Sequence, residues 1–262
     1  MKYFDSHAHY YDERFESELN EGVDNLIGAL LSDSVSYIVN VGTMPSTSRL
    51  AIAQAKRFEN MYATVGIHPG DTRFLSDMDS ELADCISLIK DATNKCVCLG
   101  EIGLDYHYPE TDKEKQMRYF RAQMEIARKL DMPVCIHDRE AHEDVMSVLR
   151  EFPDVRGVMH SYSGSAEMAK ELVGMGYMIS FSGTLTFTNA RKPKEAAAVV
   201  PHDMVLIETD APYLAPHPLR GSLNHSANLK YTNAALASIL RMGEEECAAL
   251  TEENAKRFYG IK

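Results

Sequence analysis

The chain contains no apolar run approaching the roughly 20 residues that a membrane-spanning helix needs, and no membrane association is expected of it. Its start carries no basic segment followed by an apolar stretch, so no signal peptide is expected either. Cysteine is scarce and unpatterned: Cys85, Cys96, Cys98, Cys135 and Cys247 make an odd number, without zinc-ribbon or thioredoxin spacing. Most lie in apolar runs, which points to buried reduced thiols and a reducing, cytoplasmic compartment. Positive charge is also short, since 27 Lys and Arg against 39 Asp and Glu give a formal net charge of −12. That disfavours a broad basic surface for duplex DNA, although bound divalent cations would restore positive charge wherever carboxylates cluster. No internal repeat, low-complexity tract or Pro/Gly/Ser-rich linker divides the chain. Residues 1–262 are expected to form one domain, monomeric by default.

What the sequence has is an alternation. β-rich runs occur at Tyr3–Phe4, Tyr37–Val41, Met61–Val65, Val97–Leu99, Val134–Ile136, Val158–Met159, Tyr177–Phe181 and Val205–Ile207. Helix-like stretches fall at about 18–32, 46–58, 79–91, 113–130, 140–150, 165–174, 193–200 and 229–240, with a last amphipathic one at about 244–258. This alternation predicts an α/β fold, a TIM (β/α)8 barrel with an additional C-terminal helix, over a doubly wound open sheet. Ser46 is the expected N-cap of the second helix, and Thr111 with Glu114 reads as a capping box before the fourth. Gly174 and Gly176 suit the stop of the sixth.

Several of the β-rich runs end in a group able to hold a divalent cation. In such barrels the chemistry lies at those strand ends. His7 and His9 are two residues apart, so in a strand they share a face and can reach one cation. Asp5 has the same parity and is expected to hold an imidazole N–H from below. Glu101 ends the fourth run between Gly100 and Gly103, and its two oxygens can bridge two cations. His137 and His160 end successive short runs and are candidates to share the second cation. Asp210, in Glu208-Thr-Asp210, ends the eighth run, placed as ligand and as general base for a water acidified by the cations. Imidazole suits Zn, whereas carboxylate and water suit Mg and Mn, so the mixed set leaves two divalent ions of any of these kinds open. The structural alternatives are incidental histidines in a polar strand or core, a salt-bridged Glu101, and an Asp210 that caps the turn before Pro212.

The remaining polar residues are less specific. His68 either holds a substrate oxyanion or is an ordinary loop histidine. Arg139 can pair with Glu140, with another neighbour or with a substrate phosphate. His107, His142, His202 and His217 are expected on loops or helix faces, and Asp138 and Asp144 are expected to be solvated or helix-associated.

In order along the chain, Asp5-Ser-His-Ala-His9, Gly66-Ile-His-Pro69, Gly100-Glu-Ile-Gly-Leu-Asp105, Ile136-His137, His160-Ser-Tyr-Ser-Gly164, Ser182-Gly-Thr184 and Glu208-Thr-Asp-Ala-Pro-Tyr-Leu214 resemble the TatD family of metal-dependent deoxyribonucleases, within the amidohydrolase-like hydrolases. The resemblance runs from residue 3 to about 259. It implies a barrel hydrolase that uses two divalent cations to cut phosphodiester bonds in DNA, often from the 3′ end of single strands. By similarity, His7, His9, Glu101 and Asp210 would surround one cation and Glu101, His137 and His160 the other, with His68 beside them. One stretch departs from the family's pattern. Arg220, Gly221 and Asn224 are kept, but Ser222 and Leu223 stand where two cationic side chains are usual, and His225 and Ser226 replace Glu and Pro. His225 is then either an extra ligand or phosphate contact, or a surface-loop histidine.

The leading expectation is hydrolysis of single-stranded DNA by a 3′–5′ exonuclease. Asp210 would accept a proton, and His68, Arg220 and Arg139 would contact phosphate oxygens. Tyr106, Tyr162 and Tyr213 would stack bases. The alternative keeps the metals and changes the bond to a small amide, lactone or phosphate ester, a reading towards which the lost cations lean. A barrel that keeps metal only for stability is a third.

Overall fold

The computed structural model describes residues 1–262. Eight parallel strands run in sequence order around a nearly closed barrel: β1 (Tyr3–Ala8), β2 (Val35–Val41), β3 (Met61–Val65), β4 (Cys96–Asp105), β5 (Val134–Arg139), β6 (Gly157–Met159), β7 (Met178–Phe181) and β8 (Val205–Ile207). Around them lie α1 (Glu13–Glu18), α2 (Val23–Asp33), α3 (Pro45–Ala55), α4 (Met78–Lys90), α5 (Lys113–Leu130), α6 (His142–Glu151), α7 (Ala166–Gly174), α8 (Arg191–Ala197), α9 (Leu229–Leu240) and α10 (Glu244–Tyr259). This is the expected TIM barrel, with α10 as the additional helix. No helix is long and apolar enough to cross a membrane.

The strands are covered on both faces, which is why they read as apolar runs rather than as alternating ones. Inside the barrel, Phe4, Val39, Cys98, Cys135, Val158, Met178 and Leu206 form one layer. Phe258, Tyr259 and Ile261, at and after the end of α10, close that layer from below. The Tyr259 ring stacks on Phe4 at 6.0 Å, and its hydroxyl donates to the Ser6 carbonyl at 2.9 Å. Two further apolar clusters fill the space between the sheet and the helices. All five cysteines are unpaired.

The seam between β8 and β1 is closed by a few bonds rather than by a regular ladder. Ser6 Oγ donates to the Ile207 carbonyl at 2.9 Å. The Asp210 N–H donates to the His7 carbonyl at 2.9 Å, and the His9 N–H to that of Ala211 at 2.7 Å.

Several local expectations change. The helix expected at 18–32 begins later, as α2, after Leu19–Gly22, where Gly22 adopts a φ of 78°, and a further short helix, α1, precedes it. Ser46 lies inside α3; Thr47 Oγ1 accepts from the N–H groups of Thr43 and Met44 instead. Asp112, not Thr111, caps α5 by accepting from the Lys115 N–H at 2.9 Å. The helix expected at 193–200 runs from Arg191 to Ala197. β4 is longer than expected, so Glu101 sits mid-strand, where the pairing with β5 shifts between Leu99 and Ile102. β8 has the expected bounds, and Asp210 stands three residues beyond its end, in the following loop, at a φ of 58°, a conformation Asp tolerates.

Two glycines differ sharply in what surrounds them. A methyl at Gly103, whose φ is 137°, would come within 2.0 Å of the His137 carbonyl oxygen, whereas nothing lies within 4 Å of one at Gly174. Gly103→Ala is expected to destabilise the fold by about 1–3 kcal/mol or more. Gly174→Ala should change stability by less than about 1 kcal/mol. Urea unfolding checks both, and equal midpoints would refute the packing of β4 on β5.

Candidate metal centre

Four side chains converge at the end of β1. His7 Nε2 and His9 Nε2 are 3.1 Å apart, as the period of two requires. Glu101 Oε2 lies 3.4 Å from the first and 3.7 Å from the second. Asp210 Oδ1 lies 3.7 Å and 3.4 Å from the same two nitrogens. The other oxygen of Glu101 faces a second group: Oε1 is 2.7 Å from His137 Nδ1, 3.5 Å from His160 Nε2 and 3.6 Å from His68 Nε2. The His7 and His160 rings stack at 3.7 Å between the two groups. Glu101 thus presents one oxygen to each side of the site.

The imidazoles are held from behind. His9 Nδ1 donates to the Val41 carbonyl at 2.7 Å, and His7 Nδ1 lies 3.4 Å from Cys135 Sγ. His137 Nε2 meets Asp105 Oδ2 at 3.2 Å. Glu208 Oε1 contacts His160 Nδ1 at 2.7 Å, at an angle too oblique for a hydrogen bond. The same carboxylate accepts the Ser161 N–H at 2.7 Å and the Ser180 hydroxyl at 2.5 Å. Each outer nitrogen has a polar atom or the Cys135 sulfur close behind it, and the other nitrogen faces the shared space.

Charge balance decides what fits there. Glu101 is buried, and the only ion-pair partners of Glu101 and Asp210 are imidazoles, with no Lys or Arg among them. Burial works against ionised Glu101, but the nearby His160 charge and the hydrogen bond from His137 outweigh it and hold its pKa well below the usual range. Burial likewise opposes ionised Asp210, and the bond from His9 reverses this and lowers its pKa. Burial disfavours protonated His160, yet Glu208 and Glu101 push its pKa up to about 10. Burial is again outweighed at His137, where Asp105 and Glu101 push the pKa up to about 9. Buried carboxylates backed only by neutral-capable nitrogen donors form a set that suits divalent cations. Three overlapping triads keep their donor atoms within 4.8 Å of one another: His7–His9–Glu101, His7–His160–Asp210 and Glu101–His137–His160. His68, Asp105 and His137 meet the same distance. There, however, His68 Nδ1 accepts the Gly70 N–H at 3.0 Å, so its proton sits on Nε2. Burial pushes the His68 pKa down to about 3, and the ring stays a neutral donor aimed at Glu101 rather than an open lone pair.

Other expected residues lie elsewhere. Asp5 does not touch an imidazole, because the register of β1 shifts between Asp5 and Ala8 and breaks the period of two. Its carboxylate instead accepts from the Thr209 N–H at 3.0 Å, Thr209 Oγ1 at 2.6 Å, Ser226 Oγ at 2.6 Å and the His7 N–H at 3.3 Å. Arg139 is an exposed residue at the end of β5 and lies 5.7 Å from the Tyr108 ring; Glu140 pairs with His107. Arg220 is exposed, with its guanidinium 4.3 Å from the Phe187 ring. Tyr162 is buried in the apolar core and cannot stack a base, and the Tyr106 hydroxyl is tied to Asp144 at 2.8 Å. Tyr213 is exposed, 6.5 Å from the His9 ring. Of the two places expected for Asp138 it takes the helix-associated one, paired with His142 at the start of α6 at 2.8 Å. His225 is half-buried and joins none of the triads. Asn224 spans the loop, donating to the carbonyls of Thr209 at 2.9 Å and Tyr213 at 2.7 Å. The backing roles of Glu208 and Asp105 were missed; their period-two spacing from Asp210 and Glu101 was the available signal.

A family model described as TatD related DNase matches residues 4–260. The chain belongs to the TatD family. It is 38% identical over 262 residues to the uncharacterised metal-dependent hydrolase YabD of Bacillus subtilis, covering 98% of this chain and 99% of that one. It is 34% identical over 260 residues to the uncharacterised metal-dependent hydrolase YcfH of Escherichia coli K12, covering 98% and 95%. The crystal structure of the TatD homologue YJJV from Escherichia coli superposes with a TM-score of 0.88 at 26% identity, covering 99% and 98% of the chains. This TatD protein is accordingly a metal-dependent hydrolase.

If the carboxylates behind the imidazoles fix these donors, Glu208→Gln and Asp105→Asn should each weaken cation binding by about 10- to 100-fold. Arg139→Gln should leave it unchanged. Isothermal titration with Mn²⁺ or Zn²⁺ measures this, and wild-type affinity in both carboxylate variants would refute the assignment.

Proposed function

We propose that this TatD protein hydrolyses phosphodiester bonds of single-stranded DNA as a two-cation 3′–5′ exonuclease. The observation that carries the reading is the sharing of Glu101: one oxygen faces His7 and His9, the other His137 and His160. His7, His9, Glu101 and Asp210 would hold one ion, and Glu101, His137 and His160 the other, Mg, Mn or Zn in kind. A pair of such ions would supply Lewis acidity to the phosphoryl oxygens and lower the pKa of an attacking water.

The chain's own residues do the rest. Asp210 keeps its carboxylate ionised and is 15% exposed, so it can reach solvent from the mouth and accept the water's proton. His68, neutral and protonated on Nε2, donates into the site and is suited to a non-bridging phosphate oxygen. Arg220, on the loop after β8, and Arg139, at the end of β5, are exposed around the mouth, where a guanidinium can pair with a flanking phosphate. Glu208 and Asp105 hold the imidazoles in place.

A second reading replaces DNA with a small amide, lactone or phosphate ester. Ser222 and Leu223, in place of two cations, favour it, as does the net charge of −12.

A 3′-labelled oligonucleotide should shorten with Mg²⁺, Mn²⁺ or Zn²⁺, stop shortening in chelator, and survive intact with Asp210→Asn. No shortening under any metal, together with turnover of an amide or lactone, would select the second reading. Cation removal should also lower the thermal midpoint, because ions at 100-fold their dissociation constant stabilise the folded state by about 2.7 kcal/mol.

A further inference from the structure

Four arginine–aromatic pairs stand on the mouth of the barrel, and we propose that they form two stacking arcs that carry single-stranded DNA across the metal centre, one arc on each side. This rests on the nuclease reading and adds where the strand lies.

The first arc follows β3, β4 and β5. Arg73 lies over the neighbouring ring of Phe74, 4.6 Å from its centroid, in the turn that begins after His68. Tyr108, in the loop after β4, faces Arg139. The second arc follows β7, β8 and β1. Arg14, after β1, lies 5.9 Å from the ring of Tyr213, after β8, and Arg220 covers Phe187, after β7. Together these side chains line a cavity of about 320 Å³, and Tyr213 connects it to His9. The strands run in order around the barrel, so the two arcs face each other with Glu101, His7 and Asp210 between them.

The placement is selective. Among the large apolar side chains left exposed, the three aromatic ones are Phe74 at 65%, Tyr108 at 50% and Tyr213 at 44%. All three are on loops that follow strands, at the end of the barrel where the metal centre opens. Each has a guanidinium within 6 Å of its ring centroid. Open ring faces beside arginines are the chemistry that holds unpaired bases and their phosphates without regard to sequence. A duplex hides its base faces and meets only the charges. With a net charge of −12 on the chain, phosphates have little else to follow, so the strand is confined to the arcs. These four arginines supply at the mouth the positive charge missing at Ser222 and Leu223.

The test measures binding of a fluorescein-labelled oligothymidylate by anisotropy, in an Asp210→Asn background so that the strand is not consumed. Phe74→Ala and Tyr108→Ala from the first arc, and Tyr213→Ala from the second, should each weaken binding about tenfold or more. Binding of a duplex of the same length should not change. Phe74 and Tyr108 are at least half-exposed, so their truncation leaves the core intact, and circular dichroism confirms that the variants fold. Unchanged binding in the first-arc variants overturns the crossing strand, even if the parent enzyme still shortens oligonucleotides and the nuclease reading stands. Weakening by Tyr213→Ala alone does the same, since it leaves one arc only. A parent enzyme that neither binds nor cuts any single strand removes the nuclease reading, and the arcs lose their occupant with it.

Discussion

A buried carboxylate with no fixed positive charge beside it governs this molecule. Glu101 lies within the barrel among His7, His9, His68, His137 and His160, and no Lys or Arg reaches it. Left alone, such a charge in a poorly polarisable interior is costly. The surrounding residues respond to that cost. Inner nitrogens face the carboxylate, outer nitrogens bond to Val41 and Asp105 or lie against Glu208, and the strands that carry them are fastened by packing below. Much of the polar interior of the barrel makes sense only as support for this one group.

Asp5 plays the complementary part at the seam. Where β8 and β1 lack a regular ladder, its carboxylate collects bonds from Thr209, Ser226 and the His7 backbone. Burial raises its pKa to about 6, while the donors from Ser226, Thr209 and His7 pull the other way and favour the charged form. The loop with Asp210 is therefore fixed against the strand with His7 and His9, and Asn224 spans the same loop from the far side. The kept Asn224 in the altered 218–226 segment is explained by this architecture alone.

The sequence showed the fold well, because the apolar runs and the helical periods between them are local signals. It also brought His7, His9, Glu101, His137, His160 and Asp210 into one site, since each stands beside such a run. What it misread depended on geometry between distant segments. Asp5 failed because a register shift in β1 altered its parity. Glu208 and Asp105 were passed over because sharing parity with Asp210 and Glu101 does not say which side chain of a run backs another. Tyr162 has the composition of a stacking residue, but only packing reveals that it faces the core. The caps differ from Ser46 and Thr111 by one or two positions: α3 starts from Met44 with Thr47 reaching back to it, and α5 from Asp112, within the range over which nearby hydroxyls and carboxylates compete for the same end.

The apolar stopper formed by Phe258, Tyr259 and Ile261 leaves the barrel with one doorway. Ions, solvent and substrate share the same opening, and the products leave through it. A substrate lying across that opening would bar the traffic of ions beneath it. The order of events would follow: the centre is charged before the substrate arrives, and it loses its ions only after the product has gone.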